Sequence, residues 1–226
     1  MTPLEVAEAS PAAVGRQDLE AWTALFTDDG EVHDPIGGPR HPVDALPAFW
    51  RVFIQGNGIR FEIHRDLSCE GVVWRDVTIH TTFPLGATLK VPAHLRYDTV
   101  GDKVRRLHAH WELLPMVWQT TLAGPRAWLD STRMSWRMLA NWGPAGLLRY
   151  LGGAFGVGAR GKAEAVRWSQ GLVQVPTTLN GQPTLARRGL SKLLAAGQHV
   201  TASTPLGVAW LRFEAGKLHS VELIEG

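Results

Sequence analysis

An internal repeat is the feature that most constrains how this chain can fold. Four short segments of the first half recur in the second half in the same order, each displaced by about 120 residues. The pairs are GPRHPVDAL from Gly38 and GARGKAEAV from Gly158, LEAW ending at Trp22 and LANW ending at Trp142, PLG at Pro84 and Pro205, and LRYDTVGDKV from Leu95 and LRFEAGKL from Leu211. Such repetition is typical of related structural units joined in one chain. It predicts domains at residues 1–122 and 126–226. The alternative is one domain followed by an unrelated helical tail.

The first copy begins with helix-like segments and continues with strand-like ones. Leu19, Trp22, Leu25 and Phe26 recur at helical spacing, and a second helix, interrupted by a proline, is predicted from about residue 42. Four later segments are rich in β-branched and aromatic residues: IRFEIHRDLSC, VVWRDVTIHTTF, TLKVPAHLRYD and KVRRLHAHWEL. Helices followed by an antiparallel meander predict an α+β domain, in which a curved sheet wraps around the helices.

Composition excludes several classes of protein. The net charge is +2 with both signs mixed along the chain, which is not typical of a nucleic-acid-binding surface. Cys69 is the only cysteine, so an intrachain disulfide is impossible. The start of the chain does not resemble a signal peptide, and no apolar run is long enough to span a bilayer. We therefore expect a cytoplasmic protein without a membrane span or a nucleic-acid partner.

One carboxylate stands out in the segment EVHDPIG. Asp34 ends an otherwise apolar strand and precedes a proline. Asp-Pro pairs commonly start turns. A carboxylate at the end of a strand, inside an apolar pocket, is also well suited to act as a general base. Both interpretations of Asp34 stay open on the residues alone.

The segment LEAWTALFTDDGEVHDPIGGPRHPVDALPAFW resembles the opening of ketosteroid isomerase, in the NTF2-like or SnoaL-like superfamily. The resemblance implies a cone of bent sheet closed by helices, with an apolar pocket and an aspartate base. Asp34 falls on that base. Ser10 falls where the family has an oxyanion tyrosine and is interpreted as an ordinary helix residue. His94 replaces the family's protonated aspartate and is predicted to donate a hydrogen bond to the oxyanion.

The remaining pocket residues follow from this resemblance. Trp50, Phe53, Arg96 and Trp111 are predicted to bind the substrate, a small apolar ring such as a steroid or a polyketide-like molecule, and no cofactor is implied. If Asp34 met His94 or Arg96 in the pocket, a dehydratase or an epoxide hydrolase would be alternatives. A non-catalytic ligand-binding or assembly protein is the alternative of a different class.

Two other patterns are given structural interpretations. His108 and His110 have the opposite parity to Leu107, Ala109 and Trp111, so they are predicted to lie on the outer face of the sheet, and no metal site is predicted. GVGARGKA, from residue 156, satisfies GxGxxG but lacks the preceding buried strand and the acid that a nucleotide site needs.

The second copy is predicted to be structural. Its positions matching Asp34 and His94 are Ala154 and Trp210, so the proposed chemistry is lost there. We expect the two copies to pair within the chain, as two subunits of a dimeric relative would, and a homodimer is also compatible with the sequence.

Overall fold

The computed structural model describes residues 1–226 and has α+β architecture, as predicted. In the first half, a helical pair leads into β1 and β2, a third helix follows, and four long strands complete the sheet. The elements are α1 (Pro3–Gly15), α2 (Leu19–Ala24), β1 (Phe26–His33), β2 (Arg40–Pro42), α3 (Leu46–Phe53), β3 (Gly58–Cys69), β4 (Val72–Thr82), β5 (Thr88–Val100) and β6 (Lys103–His110).

The second half begins with long helices and ends in a second set of strands. The elements are α4 (Leu113–Leu122), α5 (Pro125–Gly152), α6 (Gly158–Ser169), β7 (Thr177–Leu179), β8 (Gln182–Pro183), β9 (Ser191–Ala196), β10 (His199–Ser203), β11 (Gly207–Glu214) and β12 (Lys217–Glu225). Helix α5 is broken at Gly143, whose φ of 68° is not helical. None of the helices is long and apolar enough to cross a membrane.

The two sheets have the same topology. Their strand orders are β2-β1-β6-β5-β4-β3 and β8-β7-β12-β11-β10-β9. In each sheet one pair is parallel, β1 with β6 and β7 with β12, and every other pair is antiparallel. Six strands in the same order, with the parallel pair at the same place, confirm the predicted tandem repeat.

The register of the repeat differs from the prediction in its first part. The two PLG segments occupy equivalent turns, between β4 and β5 and between β10 and β11, as the repeat requires. GARGKAEAV, however, forms α6 and precedes the first strand of its sheet, whereas GPRHPVDAL follows β1. Ala154 lies in the connection between α5 and α6, so its predicted equivalence to Asp34 is wrong.

The first hydrophobic core fills the space between the concave face of the first sheet and its helices. Trp22 lies at its centre, with its ring centroid 5.2 Å from that of Phe26 and 5.5 Å from that of Trp50. Met138 and Tyr150 of α5 are buried in the same core. The core therefore extends past the predicted boundary at residue 122, because α5 packs against α3 and α4 and adds its buried side chains to the first core.

The second core is smaller. Eight buried residues form it, including Trp168 of α6 and Leu211 of β11. No helix stands between β8 and β9, where the first unit has α3. With one helix against its sheet, the second unit has less space between its layers than the first.

Glycines allow the connection between the units to pass close to both. A Cβ at Gly156 would lie 2.1 Å from the carbonyl oxygen of Gly197, and one at Gly37 would lie 2.7 Å from the Cα of Gly197. A larger residue at any of these three positions would push the backbones apart. The GxGxxG pattern thus includes a glycine at a close backbone crossing.

Candidate functional site

An apolar cavity lies on the concave face of the first sheet. Its volume is about 130 Å³, and 20 of its 23 lining residues are hydrophobic. The helices contribute Val14, Phe49 and Phe53, and Met134 and Tyr150 come from α5. The strands contribute residues of one parity, such as Leu95, Tyr97, Leu107 and Ala109, because alternate residues of a strand face the same side of a sheet.

Asp34 follows β1 directly and lines this cavity. Its side chain is half-buried, and burial raises its pKa to about 6, although a hydrogen bond from Trp111 opposes the rise. Trp111 Nε1 donates this bond to Asp34 Oδ1 over 2.5 Å. Asp34 Oδ2 has no protein partner, so this oxygen is free to accept a proton from a bound molecule.

Two tyrosines also line the cavity. The chain has only two tyrosines, Tyr97 and Tyr150, and both are buried and line it. The hydroxyl of Tyr150 has no hydrogen-bond partner. Burial raises the pKa of Tyr150, and the charge of Asp34 raises it further. Tyr150 is therefore protonated at neutral pH and is an unused hydrogen-bond donor near the carboxylate.

Tyr97 is connected to the first helix. Burial raises its pKa, and hydrogen bonding to Ser10 opposes that rise. Ser10 is buried, lines the cavity and accepts a hydrogen bond from Trp22 Nε1 over 3.1 Å. Ser10 is a residue of α1, as interpreted, and its hydroxyl is engaged by Trp22 at the cavity wall.

His94 does not lie in the cavity. It is fully buried on the opposite, convex face of the sheet, where its Nδ1 lies 2.8 Å from Thr201 Oγ1 and its Nε2 3.0 Å from Ser203 Oγ. Both partners belong to β10 of the second unit. The prediction that His94 donates to an oxyanion beside Asp34 is therefore contradicted by the geometry.

Arg96 is on the same convex face, so its predicted substrate contact is also contradicted. Its Nε donates to Asp98 over 2.6 Å, and its guanidinium carbon lies 4.4 Å from the ring centroid of Trp210. The register explains both corrections. His94 pairs with His110 and Arg96 with His108, and residues paired across antiparallel strands share a face. The prediction that His108 and His110 lie on the outer face is correct. By the same parity, their cross-strand partners, His94 and Arg96, belong on the outer face.

The predicted aromatic residues divide between the cavity wall and the core. Phe53 and Trp111 line the cavity, and so does Trp22. Trp50 is buried behind the wall and does not line the cavity. Sequence reasoning missed Tyr97 and Tyr150. The parity of Tyr97 with Leu95 was an available signal, whereas Tyr150 lies beyond the predicted end of the domain.

Comparison with known protein families finds a match to the first unit. Residues 7–107 match the family model of the SnoaL-like domain. The matched segment contains α1 and Asp34 and ends within β6. The first unit is therefore similar to SnoaL-like domains, and the predicted resemblance to the SnoaL-like, NTF2-like superfamily is confirmed at that level. No match was found among curated proteins.

Several solved structures resemble about half of the chain. Δ5-3-ketosteroid isomerase from Mycobacterium sp. is 25% identical, with a TM-score of 0.47, covering 50% of this chain and 95% of its own. A Mycobacterium tuberculosis protein in complex with estradiol-17beta-hemisuccinate is 23% identical, with a TM-score of 0.47, and covers 51% and 98%. An LEH-like epoxide hydrolase from M. tuberculosis is 14% identical, with a TM-score of 0.47, and covers 52% and 87%.

Proposed function

We propose that the SnoaL-like domain catalyses proton transfer at carbon in a small apolar cyclic ketone, as an isomerase of the ketosteroid isomerase type. Asp34 is the general base, and Tyr150 donates a hydrogen bond to the developing oxyanion. One observation carries the proposal. A half-buried carboxylate with a free oxygen shares an apolar cavity with a buried hydroxyl that has no partner.

The chemistry follows from these two groups. Asp34 Oδ2 removes a proton from the carbon next to the carbonyl group, and the electron pair moves onto the carbonyl oxygen. The hydroxyl of Tyr150 stabilises this oxygen by donating a hydrogen bond. Protonated Asp34 then returns the proton to the far carbon of the dienolate, which moves the double bond. A pKa of about 6 keeps Asp34 mostly ionised at neutral pH and still basic enough to accept a proton.

The size of the cavity limits the substrate. A cavity of about 150 Å³ holds one benzene ring, and the volume here is about 130 Å³. A single-ring substrate therefore fits with little movement. A steroid would require the side chains of α5 at the cavity, Met134 and Tyr150, to move outward.

The dehydratase and epoxide hydrolase alternatives lose their support. Each needed His94 or Arg96 beside Asp34, and both side chains are engaged on the other face of the sheet. A ligand-binding protein without catalysis remains the competing proposal, since an apolar cavity also suits ligand binding.

The decisive experiment separates turnover from binding. Cyclohex-3-enone would be converted to its conjugated isomer, followed by ultraviolet absorbance, with wild-type protein, Asp34→Asn and the matched control Asp102→Asn in an exposed turn. Loss of turnover only in Asp34→Asn, with retained binding of the conjugated ketone, supports the enzyme. Ligand binding by all three proteins without turnover by any supports the binding protein.

For the second unit we propose a structural role as an intrachain partner. Leu67 and Trp74 of the first unit cluster with Val208, Trp210 and Ile224 of the second, and this cluster supports pairing through the outer faces of the sheets. The chain should then behave as a stable monomer, and light scattering after size-exclusion chromatography would test this against a homodimer.

A further inference from the structure

Helices α4 and α5 carry most of the exposed apolar surface of the protein. Nine of its 17 exposed large hydrophobic side chains lie in residues 113–152. On α4, Leu114, Trp118 and Leu122 recur every four residues and so share one side of the helix. On α5 the exposed residues include Trp128 and Trp136. We call this surface the α4–α5 face. Groups of exposed apolar side chains such as these mark interaction sites.

The charge of the α4–α5 face has one sign. Residues 113–152 contain four arginines and one acid, Asp130, which is 3% exposed. The next acid along the chain is Glu164. Arg126 and Arg149 are exposed and form no salt bridge, so their charges are available to a partner.

A groove on this face leads toward the Asp34 cavity. It lies between α4 and α5 and has a volume of about 360 Å³. Its lining includes Val117, Trp128 and Leu151, which are exposed. Five residues line both the groove and the cavity: Phe83, Leu89, Met116, Met134 and Tyr150. The groove and the cavity therefore share an apolar wall, which would let an apolar molecule pass by rearrangement of side chains alone.

We propose that the α4–α5 face docks on the surface of an anionic lipid bilayer, with the groove opening into the acyl boundary. Exposed tryptophan and leucine beside arginine is the composition of helices that lie in a membrane interface. Anionic headgroups complement a surface whose exposed charges are all positive. A second copy of the chain complements it poorly, because a two-fold interface would bring these arginines against one another. An apolar substrate concentrated in the bilayer would enter at the groove.

Vesicle co-sedimentation tests this without any assay of turnover, so its result is independent of the proposed reaction. Wild-type protein would be mixed with vesicles of phosphatidylcholine alone and with vesicles containing one third phosphatidylglycerol. We expect binding to the mixed vesicles, at least tenfold weaker binding to phosphatidylcholine, and release by high salt. Trp118→Ser should lower binding about 10-fold through lost apolar burial. Arg126→Glu should lower it by a similar factor through charge reversal.

Matched controls lie away from the face. Leu185→Ser removes an exposed leucine of the second unit, and Arg60→Glu reverses an exposed arginine of β3. Both should bind vesicles as the wild type does. Absence of binding to the mixed vesicles overturns the proposal, and so does binding that all four variants retain equally. A dimer of wild-type protein that Trp118→Ser converts to a monomer also overturns it, because a second copy would then cover the face.

Discussion

The two faces of the first sheet hold two carboxylates in opposite situations. Asp34, on the concave side, accepts one hydrogen bond, and burial raises its pKa to about 6. Asp76, on the convex side, is bonded by Lys192 and by Ser203 Oγ over 2.6 Å. Burial raises the pKa of Asp76, but interactions with His94, whose Nε2 lies 3.7 Å from Oδ2, and with Lys192 and Ser203 outweigh it and leave that pKa lowered.

The difference separates a carboxylate with an unpaired oxygen from one whose two oxygens are both paired. A carboxylate whose partners are all in place has no capacity left to accept a proton, but it joins the elements that supply its partners. Asp76 joins β4 to β9 and β10 in this way. Asp34 has one oxygen unpaired and faces empty space, so its ionised form is less stable and more basic. A histidine next to a carboxylate, here His94 next to Asp76, suggests a catalytic site on the convex face. The complete pairing of Asp76 indicates a structural site instead.

The strongest test of this contrast removes the concave carboxylate. Asp34→Asn should lower turnover of the enone by roughly 10²–10⁴-fold, because general base catalysis contributes about that factor. The measurement is kcat/KM from ultraviolet absorbance, with Asp102→Asn as the control. Full turnover by Asp34→Asn would mean that the Asp-Pro pair only forms a turn.

The second test removes the unpaired hydroxyl of the cavity. Tyr150→Phe should lower kcat by about 10²–10³-fold, the usual cost of losing one oxyanion donor. Tyr97→Phe is the matched control and should cost less, because of the two tyrosine hydroxyls only that of Tyr150 is buried without a hydrogen-bond partner. An equal loss in both variants would contradict a special role for Tyr150.

The third test breaks the convex pairing. Lys192→Met leaves Asp76 buried with one cationic partner fewer, and we expect the free energy of unfolding to fall by about 3 kcal/mol. Lys217→Met, an exposed lysine at the start of β12, is the control. Turnover per folded molecule should not change. A loss of turnover with unchanged stability would move the catalytic centre to the convex face.

The smallest effect is in the pH dependence. Turnover should rise up to an apparent pKa of about 6, as Asp34 ionises, and then level off. Because the folded state raises this pKa, the favourable contribution of protonated Asp34 to stability is fully present below its unfolded pKa and is lost as pH rises through about 6. Unfolding at pH 4 and pH 8 should therefore show Asp34→Asn gaining stability relative to wild type at the higher pH. A pH-independent difference would contradict the raised pKa.

Local sequence patterns predicted much of this molecule. Helical spacing around Trp22, alternation in the strands and turn residues between them were enough for an α+β domain, since each reports geometry over a few residues. Asp34 could be predicted as a candidate base because the end of its strand and the motif that carries the family resemblance lie within one short segment. The outward parity of His108 and His110 also came from such a segment.

Tertiary structure alone decided the rest. Alternation gives two faces to a strand, but the register with neighbouring strands decides which face is concave, and this placed His94 and Arg96 at the second unit. Tyr150 reaches the cavity because α5 folds back against α3 of the first unit, more than 100 residues after Asp34 in the chain. Long-range packing of this kind leaves no periodic signal in the sequence. The sequence alone therefore located the candidate base, and the packing of α5 located the hydroxyl proposed as its partner.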